Sequence, residues 1–183
     1  MNSRSGRDME RIVRFHGHFC GGIVIGYRAA KVALQHLGSR RAEDEELVAI
    51  VENDSCAVDA VQVITGCTFG KGNLIFRDYG KHVYTFALRE SGRAVRVSRK
   101  PGARLSPDEM LEAPVDDLFW VEDIDLKLPP PARIHNSVPC QRCGEPVMST
   151  RTRRRGGRLL CIPCAQRGQP EALKPPLRTQ RQG

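Results

Sequence analysis

The chain has 183 residues, 40% apolar and 27% charged, which suits one medium domain with a small appendage and argues against global disorder. No apolar run approaches the roughly 20 residues of a membrane helix. The opening Met1–Asp8 is polar, without the apolar stretch of a secretory signal, so a cytoplasmic protein with no membrane partner is expected.

The net charge of +8 is unevenly spread. From Ala132 to Gly183 eleven Lys/Arg face two Glu, whereas the preceding residues hold eighteen basic and nineteen acidic side chains. Four zinc-bound thiolates would lower the tail's surplus by about two units, so the asymmetry survives metal binding. Of seven cysteines, four sit in two Cys-x-x-Cys pairs, a pattern of metal binding rather than of a secreted disulfide framework. Cys20, Cys56 and Cys67 then remain thiols in a reducing compartment.

In chain order, Asp8 precedes Met9, Ile12 and Val13 at helical spacing, so a helix begins over residues 8–13. His16, His18 and Cys20 alternate, which puts all three on one side if the backbone there is extended. Residues 23–37 return to helical periodicity, with Gly38 as the stop. The glycines before that helix leave N–H groups that favour an anion or a thiolate, with Cys20 within a turn. After the charged connection 40–46, a buried strand is read over 47–51 and a short helix over 57–64. Strands follow over 74–76, 83–88 and 94–97, the last two joined as a hairpin through Glu90-Ser91-Gly92-Arg93. Ser106-Pro107-Asp108-Glu109 is a helix start, and residues 113–117 begin another short helix leading to Phe119-Trp120.

Leu128-Pro129-Pro130-Pro131 ends the first unit, which gives a core domain over 1–131 and a small domain over 132–183 whose last ~15 residues are expected to be poorly ordered. Helices and strands mix without βαβ alternation, so the core is α+β.

Cys140-x-x-Cys143 and Cys161-x-x-Cys164 can each supply two thiolates to one tetrahedral zinc, with residues 147–160 as the hairpin of a zinc ribbon around Gly156-Gly157. A segment this small needs the metal to fold. Arg151, Arg153, Arg154, Arg155 and Arg158 crowd that hairpin, which suits a nucleic acid or acidic partner, but no aromatic residue follows Ala132 to stack on bases. Specific nucleic-acid recognition is therefore not favoured.

Residues 52–74 lie between two strands and hold Asp54, Cys56, Cys67, Lys71 and three glycines, more chemistry than a connection requires. Cys56 opens a helix, where a thiol's pKa falls, which makes it a nucleophile, a redox thiol or a metal ligand; the plain alternative is a small buried hydrophobe. Lys71 in Gly70-Lys71-Gly72 can hold an anion or lower a nearby thiol, although the full phosphate-loop pattern is absent. His16, His18, Cys20, Asp54, Cys56, Cys67 and Lys71 thus form the expected core site, with His18, Cys20 and Cys56 as ligands of a second metal of unknown identity.

The segments Phe15-His16-Gly17-His18-Phe19-Cys20-Gly21-Gly22, residues 53–62, residues 65–73 and Tyr79-Gly80-Lys81 together resemble the FmdE family, which takes its name from formylmethanofuran dehydrogenase. The resemblance covers about residues 10–100. This chain has Gly21 where the family reads proline after the cysteine. The resemblance implies a mixed sheet flanked by helices, likened to thioredoxin, a site at the His-Cys motif and the Asp54/Cys56 segment, and homodimers. It also implies association with molybdenum or tungsten redox enzymes. The first expectation for function is a metal- or thiol-based core site accessory to such an enzyme. The rivals are a non-enzymatic adaptor acting through the arginine-rich ribbon and a metal-delivery protein.

Overall fold

The computed structural model describes residues 3–102 and 105–167, and these fall into two compact units that meet between Ala132 and Arg133. The expectation of a poorly ordered last ~15 residues falls outside the described residues. Among those described, no helix is long and apolar enough to cross a membrane.

The first unit opens with α1 (Ser3–His16), longer than the sequence signal suggested. Residues 3–11 hold no proline and no β-branched residue, so nothing interrupts the helix before its buried face at Met9 and Ile12. Gly17, at φ 102, turns the chain, and its N–H closes the helix on Val13 O at 2.7 Å. Helix α2 (Gly21–Leu37) follows at once, nearly apolar along its length, and ends at Gly38 in the left-handed conformation.

Five strands form one sheet in the order β2-β1-β3-β4-β5. Strand β1 (Leu47–Val51) is buried at every position and pairs in parallel with β2 (Leu74–Phe76), the connection running through α3 (Ala57–Thr65). The remaining pairs are antiparallel: β1 with β3 (Val83–Leu88), β3 with β4 (Ala94–Arg99), and β4 with β5 (Phe119–Ile124). Tyr84, Phe86, Val95 and Val97 point from β3 and β4 into the core shared with α2 and α3. One parallel pair in an antiparallel sheet confirms the α+β reading.

Helix α4 (Pro107–Glu112) carries a full capping box between Ser106 and Glu109, as its sequence signature required. Arg28 of α2 reaches its C-terminal end and donates to Met110 O at 2.9 Å, to Leu111 O and to Ala113 O at 2.6 Å. Helix α5 (Val115–Leu118) leads directly into β5, a strand that residues 113–120 did not announce because its burial alternates only weakly. Glu45 accepts from the Ala132 N–H at 3.0 Å and pairs with Arg89, which also donates to Pro129 O at 2.7 Å, so the proline-rich end of this unit is tied back to it.

The second unit is a hairpin pair. Strands β6 (Ser137–Pro139) and β7 (Pro146–Met148) flank the first cysteine knuckle, and a 3-10 turn over Ser149–Arg151 follows. Strands β8 (Thr152–Arg155) and β9 (Arg158–Cys161) are joined by Gly156-Gly157, both at positive φ, a two-residue turn of the twist-compatible type. Helix α6 (Ile162–Gln166) begins after Cys161 and carries Cys164.

Candidate metal and thiol centre

The core site is built where β1 gives way to α3. Buried Asn53 pins the turn: its Oδ1 accepts from the Ser55 N–H at 3.1 Å and from Ser55 Oγ at 2.6 Å, while its Nδ2 donates to Lys81 O at 2.6 Å. That turn delivers Cys56 to the start of α3. Helix α2 comes close because it presents glycine there. A Cβ on Gly22 would sit 2.7 Å from Cys56 Cβ, and one on Gly26 only 2.0 Å from Ala57 O. Spaced four apart, the two glycines form one flat face against the first turn of α3.

Cys20 lies just ahead of α2 in extended conformation, and His16 is the last residue of α1. One ligand atom from each of His16, Cys20 and Cys56 comes within 4.8 Å of the other two. The Cys20 Sγ stands 3.9 Å from His16 Nε2. The other ring nitrogen is committed: His16 Nδ1 lies 2.7 Å from Asp59 Oδ2. A carboxylate only accepts, so Nδ1 carries the proton and Nε2 is left with its lone pair. A ligating histidine held by a carboxylate is the usual second layer of a metal site.

The Cys56 thiol is pushed up, first by burial and then by the neighbouring Cys20, so the lowering expected from its helix-start position does not prevail. A metal displaces such protons and removes the penalty. His16, Cys56 and Asp59 also line a cleft of about 430 Å³ whose other walls are Val51, Asn53, Asp54, Ser55, Val58, Phe69, Leu74 and Phe76.

The structure leaves several sequence-proposed residues outside this cluster. His18 does not join it, because residues 16–20 form a helix end and a turn rather than a strand, and the i, i+2 alternation has no shared face. His18 is exposed and stacks on His16, ring centroids 4.5 Å apart. Asp54 is exposed on the cleft wall. Cys67 is buried away from the centre, donates to Leu47 O at 3.3 Å, and has its thiol raised to about 11 by burial. It behaves as a small core hydrophobe. The Lys71 ammonium is occupied elsewhere, donating at 3.2 Å to Glu43 O and to Asp44 O. Asp59 was the missed member. Its signal lay three residues beyond Cys56, one turn along the same helical face.

In the second unit the four thiols of Cys140, Cys143, Cys161 and Cys164 lie within 4.8 Å of one another. Gly144 at φ 78 closes the first knuckle, its N–H bonding Cys140 O at 2.9 Å, and the Cys161 N–H points at Cys140 Sγ at 3.2 Å. Backbone N–H groups of Cys143 and then Cys161 lower Cys140 to about 6. Cys143 is pushed up to about 12: the Glu145 N–H pulls downward, but burial and the Cys140 and Cys164 thiols prevail. One thiolate held among crowded thiols is the donor set a tetrahedral zinc completes, so these residues fit the metal.

A family profile described as FmdE, molybdenum formylmethanofuran dehydrogenase operon, matches residues 15–118, more than half of the chain. The chain belongs to the FmdE family. Residues 133–168 match the prokaryotic dksA/traR C4-type zinc finger, in agreement with the four-cysteine cluster. A crystal structure of an FmdE-like protein of tungsten formylmethanofuran dehydrogenase from Syntrophus aciditrophicus superposes with a TM-score of 0.66 at 28% identity, covering 88% of this chain and 91% of that one. A protein of Archaeoglobus fulgidus named "Probable S-adenosyl-L-methionine-binding protein" is 31% identical over 201 residues, spanning 89% of this chain. The match takes in 54% of that relative, so this chain spans about half its length.

Proposed function

We propose that His16, Cys20 and Cys56 form a working centre, metal-loaded or dithiol, that handles redox or ligand chemistry for a molybdenum or tungsten enzyme of the formylmethanofuran dehydrogenase kind. The observation that carries this is the convergence of three soft donors from three helices on one cleft, with Asp59 orienting the imidazole. A bound ion would supply Lewis acidity or an electron-accepting site. This chain's residues hold His16 in one tautomer, exclude bulk water from behind Cys56, and open one side to a partner molecule. The name of the Syntrophus relative supports the enzyme association. A cytoplasmic homodimer is part of the same reading.

Metal content decides it. Protein purified without added metal is expected to take up two divalent ions per chain, Cys56→Ser one, and Cys140→Ser to lose the other. A Cys56→Ser variant with unchanged metal content and thiol reactivity overturns the core centre.

Two further readings rest on particular observations. The β8–β9 hairpin exposes Arg153, Arg154, Arg155 and Arg158, which supports an adaptor that docks on a nucleic acid or an acidic protein. Salt-dependent retention of the whole chain on heparin, lost when these arginines become glutamine, tests that reading. The core donors open to solvent on one side, which supports metal delivery; rapid loss of the core ion to a chelator, with the ribbon ion retained, is its signature.

A further inference from the structure

The cleft beside the core donors has a sign and a surface, and together they specify what enters it. Phe69 is 78% exposed and Phe76 45% exposed, two rings that no part of the described chain covers. Asp54 and Asp59 are the carboxylates on its walls, and among the described residues no lysine or arginine lines it. A divalent ion with two thiolates and a neutral imidazole has no net charge, so loading the centre leaves the cleft negative. Three protein donors also leave a four-coordinate ion one place for an outside ligand.

We infer that the cleft accepts a small planar aromatic molecule, neutral or cationic, that brings an uncharged nitrogen or sulfur donor to the ion held by His16, Cys20 and Cys56. The inference rests on the metal reading above. Ring stacking on Phe69 and Phe76 supplies apolar contact, and a cation gains additionally from the ring faces. An anion of the same shape meets the Asp54 carboxylate at the mouth and is rejected. A borderline ion already bound by sulfur and imidazole accepts such a donor readily.

Isonicotinamide and isonicotinate share ring and donor nitrogen and differ in charge at the far end, so they isolate the sign of the cleft. Cobalt(II) is loaded into the full chain, and each compound is titrated at pH 7.5 and moderate salt while the cobalt absorption bands are followed. The amide is expected to perturb the bands at about tenfold lower concentration than the carboxylate. Asp54→Asn should narrow that gap, and Phe69→Ala should weaken both compounds. Equal binding of the two, preference for the carboxylate, or bands that neither compound moves would overturn the inference while leaving the metal centre standing. If the wild-type core takes no cobalt beyond the ribbon's ion, the underlying metal reading fails instead.

Discussion

Asp59 touches no substrate, yet the geometry of His16 depends on it. With Oδ2 2.7 Å from Nδ1, the carboxylate selects the tautomer and stops the ring from rotating. Asp59→Asn keeps shape but loses the charge, and core-metal affinity is expected to fall roughly 10–100-fold, read by competition with a chromophoric chelator, with ribbon zinc unchanged. Cys67 makes a different prediction. Its thiol ionises near 9 when unfolded and about 11 when folded, so the folded chain holds the proton more tightly. That contribution is fully present below pH 9 and is lost as pH climbs toward about 11. Denaturant unfolding at pH 7.5 and 10.5 should show roughly 2 kcal/mol less alkaline loss in Cys67→Ala than in the wild type. From sequence, Cys56 and Cys67 looked alike. Burial separated them, one beside a cleft and one sealed under β1, and burial is a sum over distant contacts.

At the scale of elements, the glycines on α2 decide whether a site exists. Helix α3 can lie on α2 only because Gly22 and Gly26 remove the atoms that would collide with Cys56 and Ala57. Gly26→Ala meets backbone, which cannot swing aside, and should cost at least about 1–3 kcal/mol by thermal or denaturant unfolding. The departure at Gly21 points the other way. Gly21 is the first residue of α2, a position where proline is favoured, and Cys20 at φ −155 and ψ 166 has the extended conformation that precedes proline. An added Cβ meets Met110 Cε, the end of a flexible side chain. Gly21→Pro is expected to raise stability by about 0.4–1 kcal/mol through the unfolded chain, with metal binding retained. Element positions were readable along most of the chain: Gly38 as a stop, the Ser106 capping box and the apolar run of β1 each act through neighbours a few residues away. The turn at His16–Cys20 was misjudged for the same reason. A two-residue alternation looks like a strand until the preceding helix is seen to run through His16.

The whole molecule joins two units that hold together by different means. The first has a continuous core from Met9 to Phe119. Among its described residues the second buries Cys140, Leu160, Cys161 and Cys164, with Val147 and Ala165 against them, far too little apolar area to fold unaided. Stripping metal with a strong chelator at neutral pH should therefore erase hydrogen-exchange protection across residues 133–167 while amides of β1 and β3 keep theirs. Protection retained in the ribbon after complete metal removal would contradict this account of its stability.

Spacing along the chain was enough to establish the FmdE-type motifs, the four-cysteine ribbon, the charge asymmetry and nearly every helix and strand, because each depends on residues close in sequence. Which imidazole faces which thiol, why Asp59 belongs and Lys71 does not, and where a ligand can enter were decided by packing. Helix α2 had to fit against α3, and the close approach of Gly22 and Gly26 to residues some thirty positions away leaves no trace in local pattern.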